Sequence, residues 1–283
     1  MDPGLELGHP IARVPAWLTL PVGVGATIIL VWVAVAITVS WWAPYEPLAT
    51  VGTRLTGPSW DHLAGTDALG RDVFTRTLYG TRSSLPIAGI VIAVAVIIGC
   101  VVGAVAGLFG GWVDSFLMRI SDITLAFPPI LLAMTVTASL GPGLRNALFA
   151  MVVVWWPVYA RLLRAQVISV KQQDHVTAAT AMGAGRLRLL VRHILPLSMT
   201  PVLVNATMDF GQVVLLAASL SFIGLGALPP SPEWGSMISE GSVRFYEWWI
   251  AAAPGVAILT VVLGFNFLGD GVRDFLDPRT RRR

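Results

Sequence analysis

Only one lysine, Lys171, and one cysteine, Cys100, occur in the whole chain, and charge of either sign is scarce: 12% of residues are charged against 55% hydrophobic. Each shortage excludes something. A P-loop needs G-x4-G-K-[ST], and Lys171 is followed by Gln172, so this chain cannot hold ATP in that way. One cysteine allows no disulfide and no cysteine metal site within the chain; Cys100 reads as a small packing residue. The four histidines (His9, His62, His175, His193) lack metal-ligand spacing. No catalytic residue and no metal site is assigned, and the chain reads as a non-enzyme.

A water-soluble chain would carry about a quarter charged residues. With a mean hydropathy of +0.74, the surplus apolar surface needs lipid to cover it. The net charge of +3 fits the basic loops of a membrane protein better than a nucleic-acid surface. No cleavable leader is expected, because Asp2 and Glu6 stand where one needs positive charge.

Gaps between charges mark the spans, each needing about 20 apolar residues. They predict an all-α protein with six transmembrane helices: 20–41, near 85–108, near 119–140, one beginning after Arg145 and passing Arg161, about 200–225, and 249–269. Arginine and lysine bias sets the orientation. With the N-terminus inside, 13 basic residues fall in inner segments and six in outer ones. The expected layout is a cytoplasmic N-terminus (1–19), a first span (20–41), an extracytoplasmic segment (42–84), a five-helix core (85–269) and a cytoplasmic tail (270–283). The outer 42–84 segment is awkward, since its four arginines favour the other side.

The inner loop 165–199 is the unusual part. Val176–Met182 reads as a short Ala-rich helix closed by Gly183, which suits the left-handed C′ position. Residues 186–195 read as a second helix with Leu187, Leu190, Val191, Ile194 and Leu195 on one face and Arg186, Arg188 and Arg192 on the other. Such an element either lies on anionic lipid or docks a cytoplasmic partner. The small surface of Ala178, Ala179 and Ala181 favours docking.

The stretch AATAMGAGRLRLLVRHILP resembles the EAA loop of binding-protein-dependent ABC importer permeases, with Gly183, Ile194, Leu195 and Pro196 at matching places. GTDALGRDVFTRTLYGTRSSL (65–85), GGWVDSFLMRISDITLAFPPILLA (110–133), SLSFIGLGALPPSPEWGSMI (219–238) and NFLGDGVRDFLDPR (266–279) look like the second permease of dipeptide, oligopeptide and nickel importers. The resemblance implies a type I ABC importer permease fold in the plasma (inner) membrane, working with a homologous second permease. It also implies two P-loop ATPase subunits that bind ATP and Mg and an extracytoplasmic substrate-binding protein. The cargo implied is short peptides, with nickel complexes as the alternative. Thr177, Ala178, Ala179, Ala181, Met182, Gly183, Arg186, Arg188 and Arg192 would form the ATPase-coupling loop. Thr177 stands where the family has glutamate and Thr180 where it has arginine, so contact through shape rather than charge is expected there.

Within the membrane, Gly99, Gly103 and Gly107 form G-x3-G-x3-G, suited to close helix packing within the chain or against the second permease. Asp209 lies roughly 12 Å deep at 1.5 Å per residue. A carboxylate near a span's centre costs about 2.5–3.5 kcal/mol on insertion scales. It should therefore face protein or water, with Asn205 one turn earlier or an arginine as partner, or both residues lining the translocation path. Arg119 and Asp122 are expected to pair at the membrane edge. An ion-coupled secondary transporter would need more buried ionisable groups than Asp209, and a channel needs a pore ring that is not visible.

Overall fold

A computed structural model describes residues 16–276, which fold into helices α1 (Ala16–Trp42), α2 (Val73–Phe109), α3 (Gly111–Leu125), α4 (Pro129–Leu140), α5 (Leu144–Lys171), α6 (Asp174–Ala181), α7 (Arg186–Leu189), α8 (Leu195–Phe222), α9 (Trp234–Ser242) and α10 (Trp249–Leu276). Residues 1–15 and 277–283, which hold most of the expected N-terminal segment and half of the tail, lie outside the described residues. Helix is the form that apolar runs must take in lipid, because it satisfies every backbone N–H and C=O within the segment. Five stretches are long and apolar enough to cross a membrane, and the bent pair α3–α4 makes a sixth crossing.

That bent pair corrects the third span. A straight helix near 119–140 was expected, but the chain turns through 91° between α3 and α4. Pro128 and Pro129 explain the break, since proline disfavours helix in the residue before it and removes an N–H from the ladder. The second helix also starts earlier than the expected span, at Val73. Asp72 caps it there by accepting from the Thr75 N–H at 2.7 Å.

Helices α2 and α5 run parallel and in contact. A Cβ placed on Gly99 would fall 2.6 Å from both the Trp156 carbonyl and the Tyr159 Cβ, and one on Gly107 would fall 2.7 Å from Val167 Cγ1. Gly103 meets the Ala160 carbonyl in the same way. The glycine stripe is therefore filled by this chain's own α5. The alternative, that it waits for a second permease, is overturned for this face.

On the other side α1 lies antiparallel to α10, with the Trp32 Nε1–H donating to Thr260 Oγ1 at 3.0 Å. Its far end is held to α2 by Arg82, which donates to the Ala36 and Ile37 carbonyls at 2.6 and 2.9 Å. The bundle thus has two ends. One gathers 43–72, the α4–α5 turn and the 223–248 segment, joined by the Gly143 N–H donating to the Leu225 carbonyl. The other gathers the end of α2, the start of α3 and the α5–α8 connection.

That connection holds a second correction. Residues 186–195 are no separate amphipathic helix: α7 passes through a π-helical turn (Leu190–Ile194) directly into α8. The wide turn inserts one extra residue and shifts the phase of the inward face. Buried positions run Leu189, Ile194, Ser198 and Val202, while Leu187 and Val191, expected on one apolar face with Ile194, are exposed.

Candidate functional site

Three polar features stand out from the apolar bundle. The first is the protruding loop. Helix α5 ends at Lys171, whose ammonium donates to the Leu108 carbonyl at 3.0 Å and so fastens the last turns of α5 and α2 together. After a short turn, α6 ends in a left-handed cap: Gly183 has φ +84°, its N–H donates to Thr180 O at 2.9 Å, and the Ala184 N–H donates to Ala179 O at 3.1 Å. A Cβ on Gly183 would meet nothing within 4 Å, so only its backbone conformation demands glycine.

The loop residues divide by face. Thr177, Ala178, Ala181, Met182, Arg188 and Arg192 are exposed, Met182 to 83%. Arg186 is exposed too, but its guanidinium lies 5.9 Å over the Phe109 ring. Ala179, expected on the outward surface, is only 4% exposed and joins Val176 and Leu189 in the core. It lies on the same face as Val176, three residues earlier, and α6 has to bury that side to hold its place.

The second feature lies at membrane depth. Asp209 is buried and one oxygen, Oδ2, accepts from Tyr159 OH (2.9 Å), Asn205 Nδ2 (3.0 Å) and Trp155 Nε1 (3.2 Å). Asn205 is the partner expected, and two aromatic donors on α5 replace the arginine that could have served. Arg119 and Asp122 do not pair. Asp122 instead binds Arg161 on α5, and Asp114 binds Arg164 Nε and Nη2. Partners on a neighbouring helix satisfy these carboxylates, and the two-bond Asp114–Arg164 pair straps α3 across α5.

The third feature sits at the opposite end. Asp67 accepts from Arg71 Nε at 2.6 Å and from Arg76, and both arginines also reach Glu240 on α9, at 3.3 and 3.0 Å. Burial disfavours the Asp67 charge. The Arg71 and Leu69 backbone N–H groups and the two guanidiniums outweigh it, holding the carboxyl below its ordinary value. Nearby, Glu233 caps α9 by accepting from the Gly235 and Ser236 N–H groups at 3.0 and 2.9 Å, while burial pushes its carboxyl up. Sequence reasoning missed this network. Its signal was the arginine excess of 42–84, which looked misplaced: Arg71 and Arg76 are neutralised inside the fold.

A bundle of six membrane crossings, with one helical loop held out beyond them, has the build of a transport permease. The chain belongs to the family of binding-protein-dependent transport system inner membrane components, which matches residues 99–282. Such permeases are non-catalytic, multi-pass subunits of ABC importers. The chain is similar to the dipeptide transport system permease DppC of Alkalihalophilus pseudofirmus, 47% identical over 81% of this chain and 75% of that protein. It is also similar to the probable D,D-dipeptide transport system permease DdpC of Escherichia coli (44%; 90% and 86% of the two chains). A third relative is the di/tripeptide transport system permease DppC of Pseudomonas aeruginosa (42%; 91% and 88%).

Proposed function

We propose that this chain is one of two homologous permeases that together carry short peptides into the cell. Two P-loop ATPases, which bind the ATP and Mg, would drive it, and an extracytoplasmic binding protein would deliver the cargo. The observation that carries the reading is the loop between α5 and α8. It offers small exposed residues, Thr177, Ala178 and Ala181, on a helix fixed by the Gly183 cap, with Met182 at its tip. That is a shape for close docking, and it continues directly from two helices that cross the membrane. Peptide cargo is supported by relatives whose names specify dipeptide or di/tripeptide transport at 42–47% identity.

In this reading the loop end, Ala16 and Leu276 are cytoplasmic, and 43–72 lies outside. Single cysteines at Ser59 and Gln173, both exposed, placed in a Cys100→Ala background, test it. An impermeant thiol reagent added to intact cells should label position 59 and spare position 173; the reverse pattern overturns the orientation. The assembly is tested by co-purification: the tagged chain should bring down a second permease and a subunit carrying GxxxxGK[ST].

A further inference from the structure

We propose that the open groove between α3, α5 and α8 binds the carboxylate end of a peptide in transit, with Arg161 as the residue that recognises it. This rests on the peptide cargo proposed above and adds a residue and a chemistry to it.

The groove is a cavity of about 450 Å³ lined by Leu125, Val158, Arg161, Leu162 and Asn205. Its walls are apolar except at two points. Arg161 supplies a guanidinium whose planar donors match a carboxylate. Asn205 supplies a carbonyl. Asp209 has only acceptor oxygens as a carboxylate, so the Asn205 amide nitrogen turns to it, and the other end of that amide has no donor among the described residues. One cation, one neutral acceptor and apolar flanks complement a peptide terminus. Every unmodified peptide has such a carboxylate whatever its side chains, so one arginine serves a mixed cargo.

Arg161 is at present bound to Asp122 on α3. Both side chains are about half exposed (51% and 48%), so an arriving carboxylate can reach the guanidinium and exchange with Asp122. A carboxylate leaving water for this groove needs such a partner, because unpaired charge is strongly disfavoured among apolar walls. Asp122 thus occupies the site when cargo is absent, and Arg161 is never left unpaired.

The two partners of the ion pair then have different roles, which makes the inference testable. The whole importer, purified with its native partner subunits and rebuilt in liposomes, is given labelled dialanine, and ATP-driven uptake is measured. Arg161→Gln should lower uptake at least tenfold, with Arg161→Lys intermediate because it keeps charge but not the planar fork. Asp122→Asn, which removes only the competitor, should stay within twofold of wild type or exceed it. Equal losses in Arg161→Gln and Asp122→Asn would make the pair a structural brace and overturn the inference. Loss of the second permease on co-purification of Arg161→Gln would place the groove in a subunit seam, with the same result. Normal uptake by Arg161→Gln overturns this inference alone. A wild-type importer that moves nickel chelates but no dialanine overturns the cargo reading and this inference with it.

Discussion

Lys171 Nζ lies 3.0 Å from the carbonyl oxygen of Leu108, and this bond joins the final turns of two parallel helices 63 residues apart in sequence. The ammonium answers a carbonyl that the end of α2 leaves unpaired and also meets the negative end of its dipole. Lys171→Met should therefore loosen the joint without unfolding the bundle. Because the lysine is exposed, the expected loss is about 0.5–1 kcal/mol. It would be read as a small fall in melting temperature of the detergent-solubilised protein, with faster hydrogen exchange at 105–109 and 168–171.

Gly183 gives a sharper contrast. Its φ of +84° is open to asparagine at small cost, whereas most other non-glycine residues there lose roughly 1–2 kcal/mol and a β-branched one more. No neighbour would clash, so the effect is confined to the backbone. Gly183→Val should leave insertion and expression normal and reduce substrate-stimulated ATP hydrolysis of the assembled importer severalfold. Gly183→Asn should remain close to wild type. Equal activity in all three proteins would show that the bend plays no part in coupling.

Ala178 and Ala179 are adjacent, but the first is exposed and the second buried, so bulk at each should fail differently. Ala178→Trp enlarges an exposed surface and is expected to leave the permease folded while lowering co-purification of the ATPase. Ala179→Trp overfills a buried position, at about 1–3 kcal/mol, and is expected to lower the melting temperature of the isolated permease. ATPase capture that survives Ala178→Trp unchanged would show that this face does not dock.

Acid should act on the far end of the molecule. Asp67 has its carboxyl held below the ordinary 3.8, so its contribution to stability is complete above that value and is lost as pH falls through the lowered one. The 50–72 segment should therefore stay protected from protease at neutral pH and open only in strong acid. Asp67→Asn should make it open at neutral pH, because it leaves the buried guanidinium of Arg76 facing Glu240 alone. Protease resistance of this segment across pH, in wild type and variant, checks both statements.

Gly103→Leu is the packing counterpart. Its side chain would drive into the Ala160 carbonyl, a backbone atom that cannot rotate away. Folded yield in detergent should fall steeply, while Gly110→Leu, where nothing lies within 4 Å, should pack without a clash and pay only for its φ of +64°.

What could be read in advance, and what could not, divides by range. The charge-free runs marked the crossings because the penalty for charge in lipid acts residue by residue, and the Gly183 bend was visible because glycine reports a local backbone need. The face of α6 was not legible from alanines that look alike; only packing against Leu189 and its neighbours separates Ala178 from Ala179. The π turn hid inside a pattern that fitted an ideal period of 3.6 equally well. Asp122 found Arg161, 39 positions on, rather than Arg119 beside it, and Arg71 found Glu240, 169 positions on. Pairings of that kind belong to the bundle and not to any stretch of chain.

The glycine seam between α2 and α5 has a mechanical meaning. Over Gly99–Gly107 the two parallel helices approach closely enough to pack as one rod. Helix α2 has 37 residues and so reaches about 55 Å. At one end the rod carries Lys171 and the root of α6; at the other its first turn carries Arg76, locked to Asp67 and Glu240. In the proposed importer, a push on the loop would be carried by this paired unit toward the Arg76 cluster at the opposite end of the bundle.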